Sequence, residues 1–373
     1  MVRTPVRFVD LSEQYKSNRQ AIDAAIAQVI ADSSFIRGPF VERFEREFAE
    51  FLGVRHCISC GNGTDAIYIA LRALGLEPGD EVITTAHSWI STSETITQAG
   101  GRVVFVDTDG VTFTIDPALI EAKVTPRTRG LIVVHLYGQP ADLDPILAIA
   151  ARHNLWVIED CAQAHGATYG GRKVGTFGTI ATFSFYPGKN LGAMGDAGCL
   201  VTNSDRLASF AGSFARHGGK GVHEMEGINS RMDGLQGAVL SAKLPHLAAW
   251  NAARRNIAAR YDRLLHGVGD VEVPHQAPGR EHVYHLYVVR TRHRDRLRAF
   301  LADRGIETGI NYPCALPLLK AYARLDHTPE DFPRAYADQS RILSLPIYPE
   351  MTDQLVDHVA GQIADHFRTG SQA

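Results

Sequence analysis

The chain predicts an α/β protein, with a large domain on a mostly parallel sheet followed by a smaller α+β domain. Three observations carry this. Short β-rich runs at 56–60, 82–85, 103–106, 131–135 and 156–159 alternate with helically spaced segments near 64–74, 88–99, 117–123 and 142–153. Two further β runs, 181–185 and 198–202, leave no room for a helix between them, so part of the sheet is expected to be antiparallel. From about residue 232, apolar positions at helical spacing (Leu235, Val239, Leu240, Leu244, Leu247, Trp250, Ile257, Tyr261, Leu264) lead away from the first domain.

The remaining elements follow from the same periodicities. Helices are expected at 12–31, with Ile22, Ile26 and Val29 inward, and at 40–52, with Phe44, Phe48 and Phe51 inward. After the long helical stretch come a strand at 285–290, a helix near 293–304, and closing helices near 334–342 and 352–367. The division is placed between residues 1–245 and 246–373.

Composition narrows the function classes. In 373 residues, 38 basic and 41 acidic side chains give a formal net charge of −3, with no global bias toward nucleic acid or anionic membrane. Apolar runs such as 130–136 have strand length, far short of a membrane span. The opening Met1-Val2-Arg3-Thr4-Pro5 carries no signal-peptide core, and five cysteines do not suggest a disulfide framework. A soluble cytoplasmic protein is expected.

The chemistry centres on Phe183-Ser184-Phe185-Tyr186-Pro187-Gly188-Lys189-Asn190-Leu191-Gly192. An apolar run ends in a Pro-Gly turn, and a lone lysine follows at the mouth of the sheet. In a desolvated cleft such an amine has a lowered pKa and is a nucleophile toward carbonyls; in the open it is a solvated loop lysine. Its company favours the first. Asp160 ends the run Leu155-Trp156-Val157-Ile158-Glu159, with Gln163 and His165 just beyond. Alone, Asp160 reads as a cap or a structural acceptor; beside a reactive lysine it suits the pyridine nitrogen of pyridoxal phosphate (PLP). Cys60-Gly61-Asn62-Gly63-Thr64-Asp65-Ala66 runs from strand to helix, a ready phosphate site. Trp89, after another strand, suits either ring stacking or a plain core.

Other motifs fit less well. Gly61 to Ala66 matches the dinucleotide fingerprint, but the next strand ends Thr84-Thr85-Ala86-His87 without the acidic residue that pattern requires. Cys57-Ile58-Ser59-Cys60 has no second Cys/His pair, and His223-Glu224-Met225-Glu226 lacks a second histidine, so no metal is assigned.

Taken in order, Gly61 to Ala66, Glu159-Asp160-Cys161-Ala162-Gln163-Ala164-His165-Gly166, Phe183 to Gly192, Gly227-Ile228-Asn229-Ser230-Arg231-Met232-Asp233, Leu235-Gln236 and Leu343-Ser344-Leu345-Pro346-Ile347-Tyr348-Pro349 resemble the DegT/StrS-type sugar aminotransferases over nearly the whole chain. The resemblance implies the aspartate-aminotransferase type of PLP fold (fold type I) and a homodimer with shared active sites. It makes Lys189 the Schiff-base lysine and Asp160 the partner of the pyridine nitrogen. Gln163 would lie near the cofactor hydroxyl and Trp89 on its ring. Gly63, Thr64 and Ser184 would hold the phosphate, with Asn229 of the other subunit. Lysine at 189, where dehydrating relatives carry histidine, implies amino transfer, from L-glutamate to a nucleotide-linked keto sugar. The run Ala193-Met194-Gly195-Asp196-Ala197-Gly198 and Asn229-Ser230-Arg231 resemble the 3-keto branch; a 4-keto sugar or a keto-cyclitol is the alternative substrate, and a non-catalytic regulator the alternative role. His165, Tyr186, Asn311 and Tyr312 are candidate substrate contacts, and Arg231 a candidate for the donor carboxylate. Asn311 stands where members often have histidine, and Pro317 where a later histidine is expected.

Overall fold

The computed structural model describes residues 5–219 and 221–370. The opening helices α1 (Leu11–Ala31) and α2 (Pro39–Leu52) have clear ends. Asp10 caps α1 by accepting from the amides of Ser12 and Glu13. Gly53, at φ +83°, closes α2 in a left-handed conformation that glycine takes without strain.

The alternating pattern follows as β1 (His56–Cys60), α3 (Gly63–Ala73), β2 (Glu81–Thr85), α4 (Ser91–Gln98), β3 (Arg102–Val106), β4 (Thr128–Val134), α5 (Leu143–Arg152) and β5 (Trp156–Asp160). Two-residue strands β6 (Thr168–Tyr169) and β7 (Arg172–Lys173) form a small side sheet, before β8 (Ile180–Ser184), β9 (Gly198–Thr202) and α6 (Asp205–Phe214).

The central sheet has seven strands in the order β1-β9-β8-β5-β4-β2-β3. β8, β5, β4, β2 and β3 are parallel neighbours, and β9 runs antiparallel to both β8 and β1. Six strands therefore end on one side, and the register Asp160↔Thr182 sets the ends of β5 and β8 together there. Apolar layers cover both faces, one around Phe44, Phe48, Phe183 and Phe185, the other around Ile69, Leu71, Ile132 and Ile158. Burial on both faces is what makes these strands continuous apolar runs.

The long helical pattern is two helices, α7 (Gly234–Lys243) and α8 (Leu247–Leu265), joined by a turn containing Pro245. β10 (Arg280–Glu281) follows and pairs antiparallel with β6, completing that side sheet. The second unit contains β11 (Tyr287–Arg290), α9 (Arg294–Ala302), β12 (Ile342–Leu345) and α11 (Asp353–Gly370), while α10 (Pro333–Gln339) packs on the first core through Ala335. β11 and β12 pair antiparallel over a separate core around Tyr261, Tyr287, Leu297 and Ile363.

Several expectations are corrected. The helix at 117–123 is two single 3₁₀ turns, Pro117–Leu119 and Glu121–Lys123. The helix expected from 88 begins at Ser91, after a turn that carries Trp89. The strand expected from 285 starts at Tyr287, and the helix expected to 342 stops at Gln339, where β12 takes over. The cores do not divide at 245/246. Val6 packs in the second core, whereas Ala315, Leu316, Tyr322, Phe332 and Ala335 pack on the first.

Candidate active site

The ends of β5 and β8 and the start of α3 enclose one cleft. Lys189 follows the Pro187-Gly188 turn, with its backbone N–H donating to the Tyr186 carbonyl at 2.8 Å. Burial lowers its amine pKa to about 8, against the opposing pull of the Asp160 carboxylate. Asp160 is itself buried. Its Oδ2 accepts from Thr92 Oγ1 at 2.9 Å and its Oδ1 from the Ala162 N–H at 3.1 Å. Burial still raises its pKa, with Ala162, Thr92 and Lys189 working the other way.

Gln163 is fixed at both ends of its amide. Oε1 accepts from the Tyr137 N–H at 2.6 Å and Nε2 donates to the Tyr312 hydroxyl at 2.9 Å. Tyr137 makes the first bond from a left-handed conformation, φ +61°. Trp89 is 57% exposed, with its ring 5.5 Å from that of Tyr312.

The phosphate-type cradle is built by close approach. A Cβ on Gly63 would lie 2.6 Å from Ser184 Cβ, and one on Gly198 would lie 2.3 Å from the Asn62 carbonyl carbon. Only glycine lets α3, β8 and β9 meet so tightly. Asn62 caps α3 by accepting from the Asp65 N–H at 2.8 Å, and Thr64 Oγ1 lies 2.7 Å from Ser91 Oγ at the start of α4. First-turn amides without helical partners, flanked by the Thr64, Ser91 and Ser184 hydroxyls, suit a dianionic phosphate.

Two expected contacts, His165 and Asn311, are placed differently. His165 is fully buried, its ring 5.5 and 5.6 Å from those of Phe183 and Phe185, and burial lowers its pKa to about 3. It is a neutral core histidine behind the cleft, not a surface for the sugar. Asn311 turns its Oδ1 to the Ser344 hydroxyl at 2.8 Å, while its backbone carbonyl accepts from Tyr137 and lies 3.3 Å from His87 Nε2. Its side-chain acceptor is thus committed to β12. Arg231 and Asn229 are exposed on either side of the buried Ser230, whose Oγ donates to Asp65 and accepts from the Gly61 N–H. Tyr186 is exposed beside Lys189, and Tyr312 lines the cleft at Gln163.

Residues 16–364 match the DegT/DnrJ/EryC1/StrS aminotransferase family. The chain belongs to this family. It is 47% identical over 97% of its length to a pleiotropic regulatory protein of Geobacillus stearothermophilus, covering 99% of that protein. It is 43% identical to the dTDP-3-amino-3,4,6-trideoxy-alpha-D-glucose transaminase of Streptomyces venezuelae, covering 93% of this chain and 92% of that one. The crystal structure of S. venezuelae DesV in complex with a ketimine intermediate superposes with a TM-score of 0.95 at 42% identity, over 97% of this chain and 98% of that one.

The aminotransferase site fits a PLP-type cofactor on its own geometry: a cradle that a Cβ at Gly63 would fill, a buried acid and a held amide. The structure of NtdA from Bacillus subtilis with bound cofactor PMP superposes with a TM-score of 0.87 at 33% identity, over 94% of this chain and 82% of that one. Sequence reasoning missed Thr92, Ser91 and Tyr137, which act through tertiary contacts with no local motif. Glu159, His135 and Cys161 bring possible metal-ligand atoms within 4.8 Å of one another. However, His135 Nδ1 accepts from the Ala141 N–H, and Glu159 accepts from His135 and three backbone amides. These atoms serve the fold. Among the described residues, no helix is long and apolar enough to cross a membrane.

Proposed function

We propose that this protein is a PLP-dependent aminotransferase that moves the amino group of L-glutamate to the C3 keto carbon of a nucleotide-linked sugar, as a cytoplasmic homodimer. The observation that carries the reading is a lysine amine lowered by burial, set against a buried aspartate with an amide-locked glutamine beside it. The sugar position draws on the post-lysine run and on relatives named as 3-amino-sugar transaminases. Asn229 of the partner subunit completes the phosphate cradle, and Arg231 takes the donor carboxylate.

When bound, PLP supplies an aldehyde for the amine and a ring that accepts electrons. Asp160 would hold the ring nitrogen in its protonated form. Gln163 would lie near the ring hydroxyl, and Trp89 would stack on the ring. Gly63, Thr64 and Ser184 would hold the phosphate. With a pKa of about 8, Lys189 is neutral in about a tenth of molecules at pH 7, far more than an ordinary lysine. Lys189 Nζ would be the base placed to take a proton from the donor α-carbon and give it back. Tyr186 and Tyr312 face the sugar with hydroxyls.

The test is incubation of the PLP-loaded protein with glutamate and a panel of 3-keto and 4-keto nucleotide sugars, with products identified by mass and NMR. A C3 amine is expected. Amination of 4-keto substrates alone would move the position, and a visible cofactor band unchanged by glutamate would favour the regulator. The capture of PLP by cofactor-free protein should speed up as pH rises toward about 8 and level off above it, because only the neutral amine attacks. A flat profile in stopped-flow absorbance would remove Lys189 from that role.

A further inference from the structure

Three polar side chains outside the cleft are directed at the segment that follows Lys189, all from one stripe of α7 and α8. Gln236, Lys243 and Asn251 recur about two helical turns apart. Gln236 Oε1 accepts from the Met194 N–H at 2.8 Å. Lys243 Nζ donates to the Gly192 carbonyl at 2.5 Å and to Gln14 of α1 at 2.7 Å. Asn251 Oδ1 accepts from Asn190 Nδ2 at 2.9 Å, and Asn251 Nδ2 donates to the His165 carbonyl at 2.8 Å.

The stripe is costly as packing. Lys243 and Asn251 are 3% and 4% exposed, and an apolar residue at either place would avoid burying a charge or an amide. The segment they hold is irregular backbone folded on itself: a Cβ on Gly192 would lie 2.2 Å from the Pro187 carbonyl oxygen. Asn190 Nδ2 also donates to the Val283 carbonyl at 2.9 Å. Arg254, one turn beyond Asn251, donates to the carbonyls of Tyr284 and Ile347 in the second unit. The stripe therefore ties the lysine turn to α1, to the segment after β5 and to the second unit.

We propose that Gln236, Lys243 and Asn251 form a positioning device for Lys189, with Asn251 as its central member joining the lysine turn to the Gln163–His165 segment. The proposal rests on Lys189 being the reactive amine. That amine must leave and return to one place in every cycle, and its long side chain gives it no such constraint. A frame spanning Asn190 and the His165 carbonyl supplies it. Small misplacements of a reacting group are expensive in rate and cheap in binding.

The test compares wild type with Asn251→Ala, Asn190→Ala, the double variant and Gln236→Ala. Each single asparagine variant is expected to lower kcat about tenfold to a hundredfold while the KM for glutamate moves less than about threefold. The double variant should lose less than the two single losses multiplied together, because the Asn190–Asn251 bond is common to both while each breaks one bond of its own, to Val283 or to His165. In cofactor-free protein, amide hydrogen exchange at 190–194 should be at least about tenfold faster, with the β4 and β5 strands unchanged. Additive losses, an unchanged kcat with only a lower unfolding midpoint, or unchanged exchange at 190–194 would overturn the proposal. Gln236→Ala lies at a half-buried position and reports the same exchange if an Asn251 variant does not fold. Wild type that takes up no PLP would refute the function reading instead, and the exchange comparison would still decide the stripe.

Discussion

Two neighbouring carboxylates at the end of β5, Glu159 and Asp160, have the same chemistry and opposite fates. Glu159 is fully buried with both oxygens doubly satisfied: Oε2 by His135 and the Gly175 N–H, Oε1 by the amides of Phe177 and Gly178. Burial pushes its pKa up, but His135 and the amides outweigh it and the net shift is downward. Among the described residues Asp160 accepts from Thr92 and Ala162 alone, and there burial wins. Successive strand side chains leave on opposite faces, so Glu159 meets the chain's own loops while Asp160 meets the cleft. A carboxylate with every acceptor filled holds the fold; one left short of partners is reserved for a ligand.

The largest effect expected from this contrast is on the ligand side. Asp160→Ala should lower kcat on the order of 10³-fold by removing the charge that balances the ring nitrogen, with little change in unfolding. Steady-state kinetics beside a denaturation curve would check it, and comparable activity would erase the distinction. Glu159→Gln should do the reverse. The new NH₂ would face either the Gly175 N–H and the His135 Nε2–H or the amides of Phe177 and Gly178, and His135 Nε2 cannot turn acceptor because Nδ1 already accepts from Ala141. About 3–5 kcal/mol of stability should be lost, read by chemical denaturation, while the cofactor band of the surviving folded protein keeps its position.

The contrast also shows what a sequence can carry. The alternation of strands and helices was legible because strands buried on both faces are continuous apolar runs. Asp160, Gln163, Gly63 and Lys189 were legible because each lies at a strand end within a local motif. β12 was hidden because Ile342 to Pro349 is short and holds two prolines, and the 117–123 helix failed where Pro117 and Val124 bound two isolated turns. His165 shares a motif with Gln163, yet the fold turns it into the Phe183 and Phe185 layer. Thr92 and Tyr137 reach their partners across 68 and 26 residues, where no spacing rule applies.

The smallest effect sharpens the comparison most, because it moves Asp160 further from Glu159 without touching either. Thr92→Val keeps the shape of α4 but removes the hydroxyl that donates to Asp160 Oδ2 and lies 3.1 Å from Ser88 Oγ. Asp160 is left with the Ala162 N–H, so its anion is less stabilised and its already raised pKa climbs further. One lost hydrogen bond to a charged group corresponds to about 1.5–3 kcal/mol. Activity near neutral pH should fall less than about tenfold. The acidic limb of the rate profile should move toward neutrality, because protonating Asp160 removes the anion that the ring nitrogen needs. A Glu159 already holding four donors would show no such shift on losing a neighbour's hydroxyl. An acidic limb that stays in place in Thr92→Val would mean that Asp160 is as fully committed to the fold as Glu159 is.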